Sequence, residues 1–154
     1  MASTENARAP FLVNYTASTS NSSSDPGGGE LVWVTTPSLI FRAGRAYEVT
    51  VKGLLAPTAT ASEGQVRVRK TGIGGQLLYD SFRFPTSQIG NYGFIFSNIF
   101  IVGGANVTAA LASTVARASG AALYSISATT TSVAYLKITD EGPAADFTGA
   151  TVLT

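Results

Sequence analysis

Apolar and polar residues alternate along most of the chain. In RAYEVTVKGLL, residues 45–55, Tyr47, Val49 and Val51 fall on one face while Glu48, Thr50 and Lys52 fall on the other. That period of two is the mark of a strand buried on one side. The preceding SLIFRAG ends in Ala43-Gly44, which predicts a turn into this strand. GQVRVRKTGIGGQLLYDSFRFP, residues 64–85, predicts a hairpin: Val66 and Val68 alternate with Arg67 and Arg69, a glycine-rich turn follows at 72–75, and a strand returns through Leu78 and Phe82. YGFIFSNIFIVGG, residues 92–104, is apolar on both faces, with Phe94, Phe96 and Phe100 on one and Ile95, Ile99 and Ile101 on the other. Such a strand is expected to be covered twice, by a second sheet and by a neighbouring subunit.

AALYSISA and SVAYLKIT close the set of strands. NVTAALASTVARASG, residues 106–120, has the alanine content of a helix, but its Val, Thr and Ser residues and flanking glycines favour a strand. Some eight or nine short strands punctuated by Gly, Pro and Ser predict an all-β fold, an antiparallel β-sandwich or jelly roll. The 154 residues suit one domain. Its expected parts are an N-terminal segment with a Ser/Gly-rich loop over 1–29, a sandwich over 30–143, and an extended tail over 144–154.

Composition turns this fold into a question about partners. Net charge is +1 and charged residues make up 12% of the chain, about half the usual share. Mean hydropathy is positive. A surface so thin in charge predicts that part of it is covered, most commonly by a like subunit. The charge is too small and too scattered for a nucleic-acid footprint or a polybasic membrane anchor, and no apolar run approaches the roughly 20 residues of a spanning helix. The chain has no cysteine and no histidine, which excludes disulfides, thiolate nucleophiles, Cys/His zinc sites and histidine triads. MASTENARAP lacks the basic start and apolar core of a secretory leader, so synthesis in a cytoplasm is expected.

The remaining candidate chemistry reads as structure. Asp140-Glu141 is a carboxylate pair, but neighbours in a strand diverge, which suits glycoside hydrolysis poorly; with Gly142 and Pro143 it reads as a turn that stops the strand. TGIGGQ, residues 71–76, precedes a strand rather than a helix and so is a hairpin turn, not a phosphate cradle. Arg67, Arg69, Lys70 and Arg83, with Tyr79 among them, read as a solvated or ion-paired strand face. The sequons at Asn14, Asn21 and Asn106 follow from a Ser/Thr-rich composition, and Trp33 reads as core or interface. The other acids show no calcium-loop spacing. No catalytic residue, metal site or cofactor is predicted.

Two motifs carry a resemblance. AYLKITDEGPA, residues 134–144, resembles the terminal strand of small β-sandwich proteins in tailed phages of actinobacteria, and AGRAYEVTVKGLL, residues 43–55, is similar to their Ala-Gly-Arg-x-Tyr strand. VRVRKTG and ALYSISATTTSVAYLKI follow in the same order, over roughly residues 30–144. The resemblance implies a non-enzymatic virion protein: a capsid decoration protein that binds the major capsid lattice, forms a homotrimer like related jelly rolls, and resides on the capsid surface. The alternative it implies is a minor tail or carbohydrate-binding module using Trp33, Tyr79 or Tyr92 as stacking platforms. The expected contact residues are Phe94, Phe96, Ile99 and Phe100, with Phe147, Val152 and Leu153 of the tail.

Overall fold

The computed structural model describes residues 10–18, 29–57, 62–81, 84–86, 92–119, 123–126 and 134–154. Its strands are β1 (Phe11–Ala17), β2 (Glu30–Thr35), β3 (Leu39–Phe41), β4 (Arg45–Pro57), β5 (Ser62–Lys70), β6 (Leu77–Asp80), β7 (Phe84–Thr86), β8 (Tyr92–Val102), β9 (Val107–Ala109), β10 (Leu111–Ser119), β11 (Leu123–Ile126), β12 (Tyr135–Pro143) and β13 (Thr151–Leu153). A single 3-10 turn, Ala144–Asp146, is the one helical element among the described residues. The all-β expectation holds. The thirteen strands among the described residues exceed the expected eight or nine because β3, β7, β9 and β13 are three residues long, too short to leave a period in the sequence.

Two sheets form a sandwich. Sheet A has the order β1-β12-β4-β8-β13, with β11 also on β4; sheet B has the order β2-β10-β5-β6, with β7 also on β5; β3 and β9 form a small separate ribbon. Among the described residues every pairing is antiparallel except β13 on β8. Tyr47, Val49, Val51 and Leu55 of β4 point inward and are almost fully buried. They meet Leu136 and Ile138 of β12, Phe94 and Phe100 of β8, and Val66, Val68, Leu111 and Val115 of sheet B. The alanine-rich segment is indeed a strand: β10 is buried from Leu111 to Ala116 at the centre of sheet B, where small side chains let the two faces pack closely. Trp33 belongs to the core rim. Its ring lies 5.7 Å from that of Phe94, and a Cβ added at Gly53 would stand 1.8 Å from Trp33 Cη2; glycine at 53 makes room for the indole.

The first and last strands both join sheet A. Phe11–Ala17, inside the expected N-terminal segment, is an edge strand of sheet A, paired with Asp140–Tyr135. The tail returns as β13 beside Phe100–Val102. It is tied down by Gln76, whose Nε2 donates to the Val152 carbonyl at 2.6 Å while its Oε1 accepts from the Thr154 amide at 2.9 Å. A side-chain amide thus supplies the two hydrogen bonds that a further strand would supply.

β12 does not stop at Asp140. It runs on to Pro143 through a bulge between Asp140 and Gly142, and Gly142 takes φ +108 there. Asp140 turns inward, is 3% exposed, and receives both ends of the Arg45 guanidinium, Nη2 to Oδ1 at 2.6 Å and Nε to Oδ2 at 3.1 Å. The Gly142 amide also donates to Oδ1 at 2.9 Å. The Tyr47 hydroxyl accepts from the Arg42 amide at 2.7 Å, and the Gly44 carbonyl, in a turn with φ +71, accepts from the Ala144 amide at 2.8 Å. The Ala-Gly-Arg-x-Tyr and Asp-x-Gly-Pro motifs are two halves of one joint at the end of the sandwich. Their residues serve structure, and the paired carboxylates diverge as expected.

Candidate assembly surface

The two outer faces of the sandwich are chemically unlike. On sheet B, Glu30 from β2, Arg67 and Arg69 from β5 and Asp80 from β6 form one ion-pair cluster. Arg69 Nε lies 2.8 Å from Glu30, Arg67 Nη1 3.4 Å from Glu30, and Arg67 Nε 3.2 Å from Asp80. Thr114 of β10 donates its hydroxyl to Glu30 as well, and Gln65 joins Asp80 at 2.7 Å. Arg67 and Arg69 form the expected ion-paired strand face, whereas Lys70 donates to the Thr154 carbonyl and Tyr79 packs on Phe96; Arg83 and Phe82, read with the same hairpin, lie outside the described residues. Charges placed opposite one another in this way pair within their own face, beside the exposed Val32 and Leu77.

Burial raises the pKa of Glu30, but the Arg69 and Thr114 hydrogen bonds and the charges of Arg69 and Arg67 outweigh it, and the carboxyl sits below its usual range. A carboxylate lowered on folding contributes stability above its unfolded pKa and loses it as pH falls through the folded one. Stability is therefore expected to fall as pH drops below the usual carboxylate range, by roughly 1 kcal/mol for these part-exposed pairs. Glu30→Gln should start lower at neutral pH and lose that segment of the pH dependence, as urea titrations across the range would measure.

The outer face of sheet A carries a different surface. Alternation and register place Leu12 and Tyr15 of β1, Tyr135, Lys137, Thr139 and Glu141 of β12, and Glu48, Thr50 and Lys52 of β4 outward. Ile95, Ile99 and Ile101 of β8 and Val152 of β13 continue that face. Ile95 is 60% exposed, Leu12 59%, Tyr15 50% and Val152 43%. Tyr15 and Tyr135 lie 5.0 Å apart, and Lys52 Nζ is 5.9 Å from the centre of the Tyr135 ring. β1, β8 and β13 bring no charged side chain to it. Lys52, Lys137, Glu48 and Glu141 are the charged residues of this face among the described residues, with Thr50, Ser97 and Thr139 as its uncharged polar ones. Exposed apolar patches of this kind mark contact surfaces.

The predicted contact residues divide between the inside and the outside. Phe100 is fully buried, stacked 5.6 Å from Tyr47 and edge-on 5.5 Å from Phe41. Leu153 and Phe94 are buried in this chain as well. These three face the chain's own core, which corrects the expectation that they meet a neighbour: the aromatic face of β8 is the inner one. Phe96 is half-buried against Tyr79 and Phe94. Ile99 lies half-buried on the outer face, Val152 is exposed there, and Phe147 is half-buried after the 3-10 turn. The exposed apolar residues Leu12, Tyr15 and Ile95 were not among those predicted: β1 was not recognised as a strand, and alternation in β8 identifies two faces without telling which one the second sheet covers.

No protein-family model matches the chain, and no curated protein matches it in sequence. In fold it is similar to chains of virus particles. A chain of infectious bursal disease virus, Gt strain, superposes on 94% of this one with a TM-score of 0.57 at 11% identity. A chain of T=1 particles derived from infectious bursal virus superposes on 90% with a TM-score of 0.58 at 13% identity, and one of the Gx strain on 90% with a TM-score of 0.54 at 14% identity. The present chain spans about a third of the length of each.

Proposed function

We propose that the chain is a non-enzymatic structural subunit of a virion, a bacteriophage capsid decoration protein that binds the major capsid lattice and whose apolar sheet face is covered in the assembly. The observation that carries this reading is the contrast between the outer faces: sheet B carries an ion-pair cluster with Val32 and Leu77 exposed beside it, whereas sheet A presents the more exposed Leu12, Tyr15 and Ile95, with Val152, to solvent. Burying such a face removes apolar surface from water at about 25 cal/mol per Å², and a shell subunit works by occupying surface. The fold likeness to virus-particle chains supports the virion setting; the two sequence motifs support a tailed phage. The homotrimer implied by the phage resemblance is tested by the mass of the purified protein in solution.

A minor tail or carbohydrate-binding module is the second reading, carried by the Tyr15–Tyr135 pair with Lys52 above it. Trp33 and Tyr79 are engaged with Phe94 and Phe96 inside the chain and do not supply its platform. Counting copies per purified particle by quantitative mass spectrometry separates the two. Capsid decoration gives hundreds of copies; a tail module gives a few tens at most and binds a glycan on an array. Absence from particles would overturn both.

A further inference from the structure

The four charges on the outer face of sheet A are ordered. Register places Lys52 level with Tyr135, Lys137 level with Thr50, and Glu48 level with Thr139, while Glu141, in the bulge and without a partner on β4, lies further along β12. Along the strand direction the sequence of charge is therefore plus, plus, minus, minus, over about 20 Å at two residues per step. The Thr139 hydroxyl donates to Glu141 and the Thr50 hydroxyl to Glu48 at 3.3 Å, so both carboxylates stand on this same outer face.

We infer that this face binds a second copy of itself, through a two-fold axis lying in the contact plane and perpendicular to the strands. Such an axis reverses the strand direction of the partner. It brings Lys52 over Glu141 and Lys137 over Glu48 of the other copy, twice, with the apolar flanks formed by Tyr15, Leu12, Ile95 and Val152 closing around them. An axis along the strands would instead set lysine over lysine and glutamate over glutamate, which complementarity rejects. A two-fold contact joins identical patches, and a patch whose charge reverses end to end is complementary to itself in this one orientation. Two copies are what this pattern specifies, rather than the three that the phage resemblance implies. The contact rests on the assembly reading of sheet A but not on the virion setting, and its test needs only the purified chain.

Sedimentation equilibrium should give twice the 15.9 kDa of one chain at micromolar concentration. Lys52→Glu/Lys137→Glu and Glu48→Lys/Glu141→Lys should each weaken self-association by at least about tenfold, while an equimolar mixture of the two, now an acidic face and a basic one, should pair about as well as the wild type. Orientation is read separately. The chain has no cysteine, so Lys52→Cys and Glu141→Cys proteins can be mixed with a bismaleimide spanning the ~10 Å between packed sheets. The mixed product should predominate over either self-linked product. A monomer at all concentrations, a trimer, or predominant 52-to-52 linkage would overturn the two-fold contact, while copy number in particles separately decides the virion reading.

Discussion

Phe100→Asp is expected to leave the chain unfolded. Phe100 is fully buried between Tyr47 and Phe41, and truncating such a ring to alanine costs roughly 3–5 kcal/mol. Aspartate adds the desolvation of an unpaired carboxylate, several kcal/mol more. The sum rivals the whole stability of a domain, about 5–15 kcal/mol. Ile95→Asp, five residues away on the outward face of the same strand, should shift the unfolding midpoint by less than about 1 kcal/mol. Circular dichroism and urea titration of the pair separate inner from outer face. A folded Phe100→Asp protein with a wild-type midpoint would mean that β8 is inside out.

Arg45→Met is the second large effect. The pair it breaks joins the start of β4 to the bulge of β12, and the two side chains are unequally sheltered: 21% of Arg45 but 4% of Asp140 is exposed. Removing the arginine strands a buried carboxylate, at a cost of roughly 3–5 kcal/mol. Asp140→Asn leaves a guanidinium that reaches water and keeps an oxygen for the Gly142 amide, at a cost of roughly 1–3 kcal/mol. The larger loss for the arginine variant, read from paired urea midpoints, is the signature of this geometry. Equal losses would argue that water reaches Asp140 freely.

Much of the fold is legible in the sequence because a half-buried strand writes its burial as a period of two. Tyr47, Val49 and Val51 show this in β4, and Val66 and Val68 show it in β5. The hairpin turn and the strand character of residues 107–119 follow from residue type. β1 and β13 were hidden for different reasons. FLVNYTA adjoins a serine-rich stretch and carries a bulge between Leu12 and Asn14, which breaks the alternation, and a three-residue strand has no period at all. The Arg45–Asp140 joint was hidden by 95 residues of separation: each motif is visible alone, and only register brings them together.

The candidate site was half legible. Strand 92–102 declares two apolar faces, and the structure assigns its phenylalanines to the core and its isoleucines to the outside. Larger rings fill the gap between sheets better, but an apolar letter carries no direction. The order of the four charges on sheet A was invisible for the same reason, since Lys52 and Glu48 lie on one strand and Lys137 and Glu141 on another.

The most direct measurement counts this chain in purified virus particles assembled with the wild type and with Ile95→Lys/Ile99→Lys, after circular dichroism has established that both proteins fold. The account predicts hundreds of wild-type copies per particle and a loss of at least about tenfold for the variant, as expected when charge is placed in an apolar contact. Equal copy numbers for the two proteins, or wild-type particles that lack the chain, would contradict it.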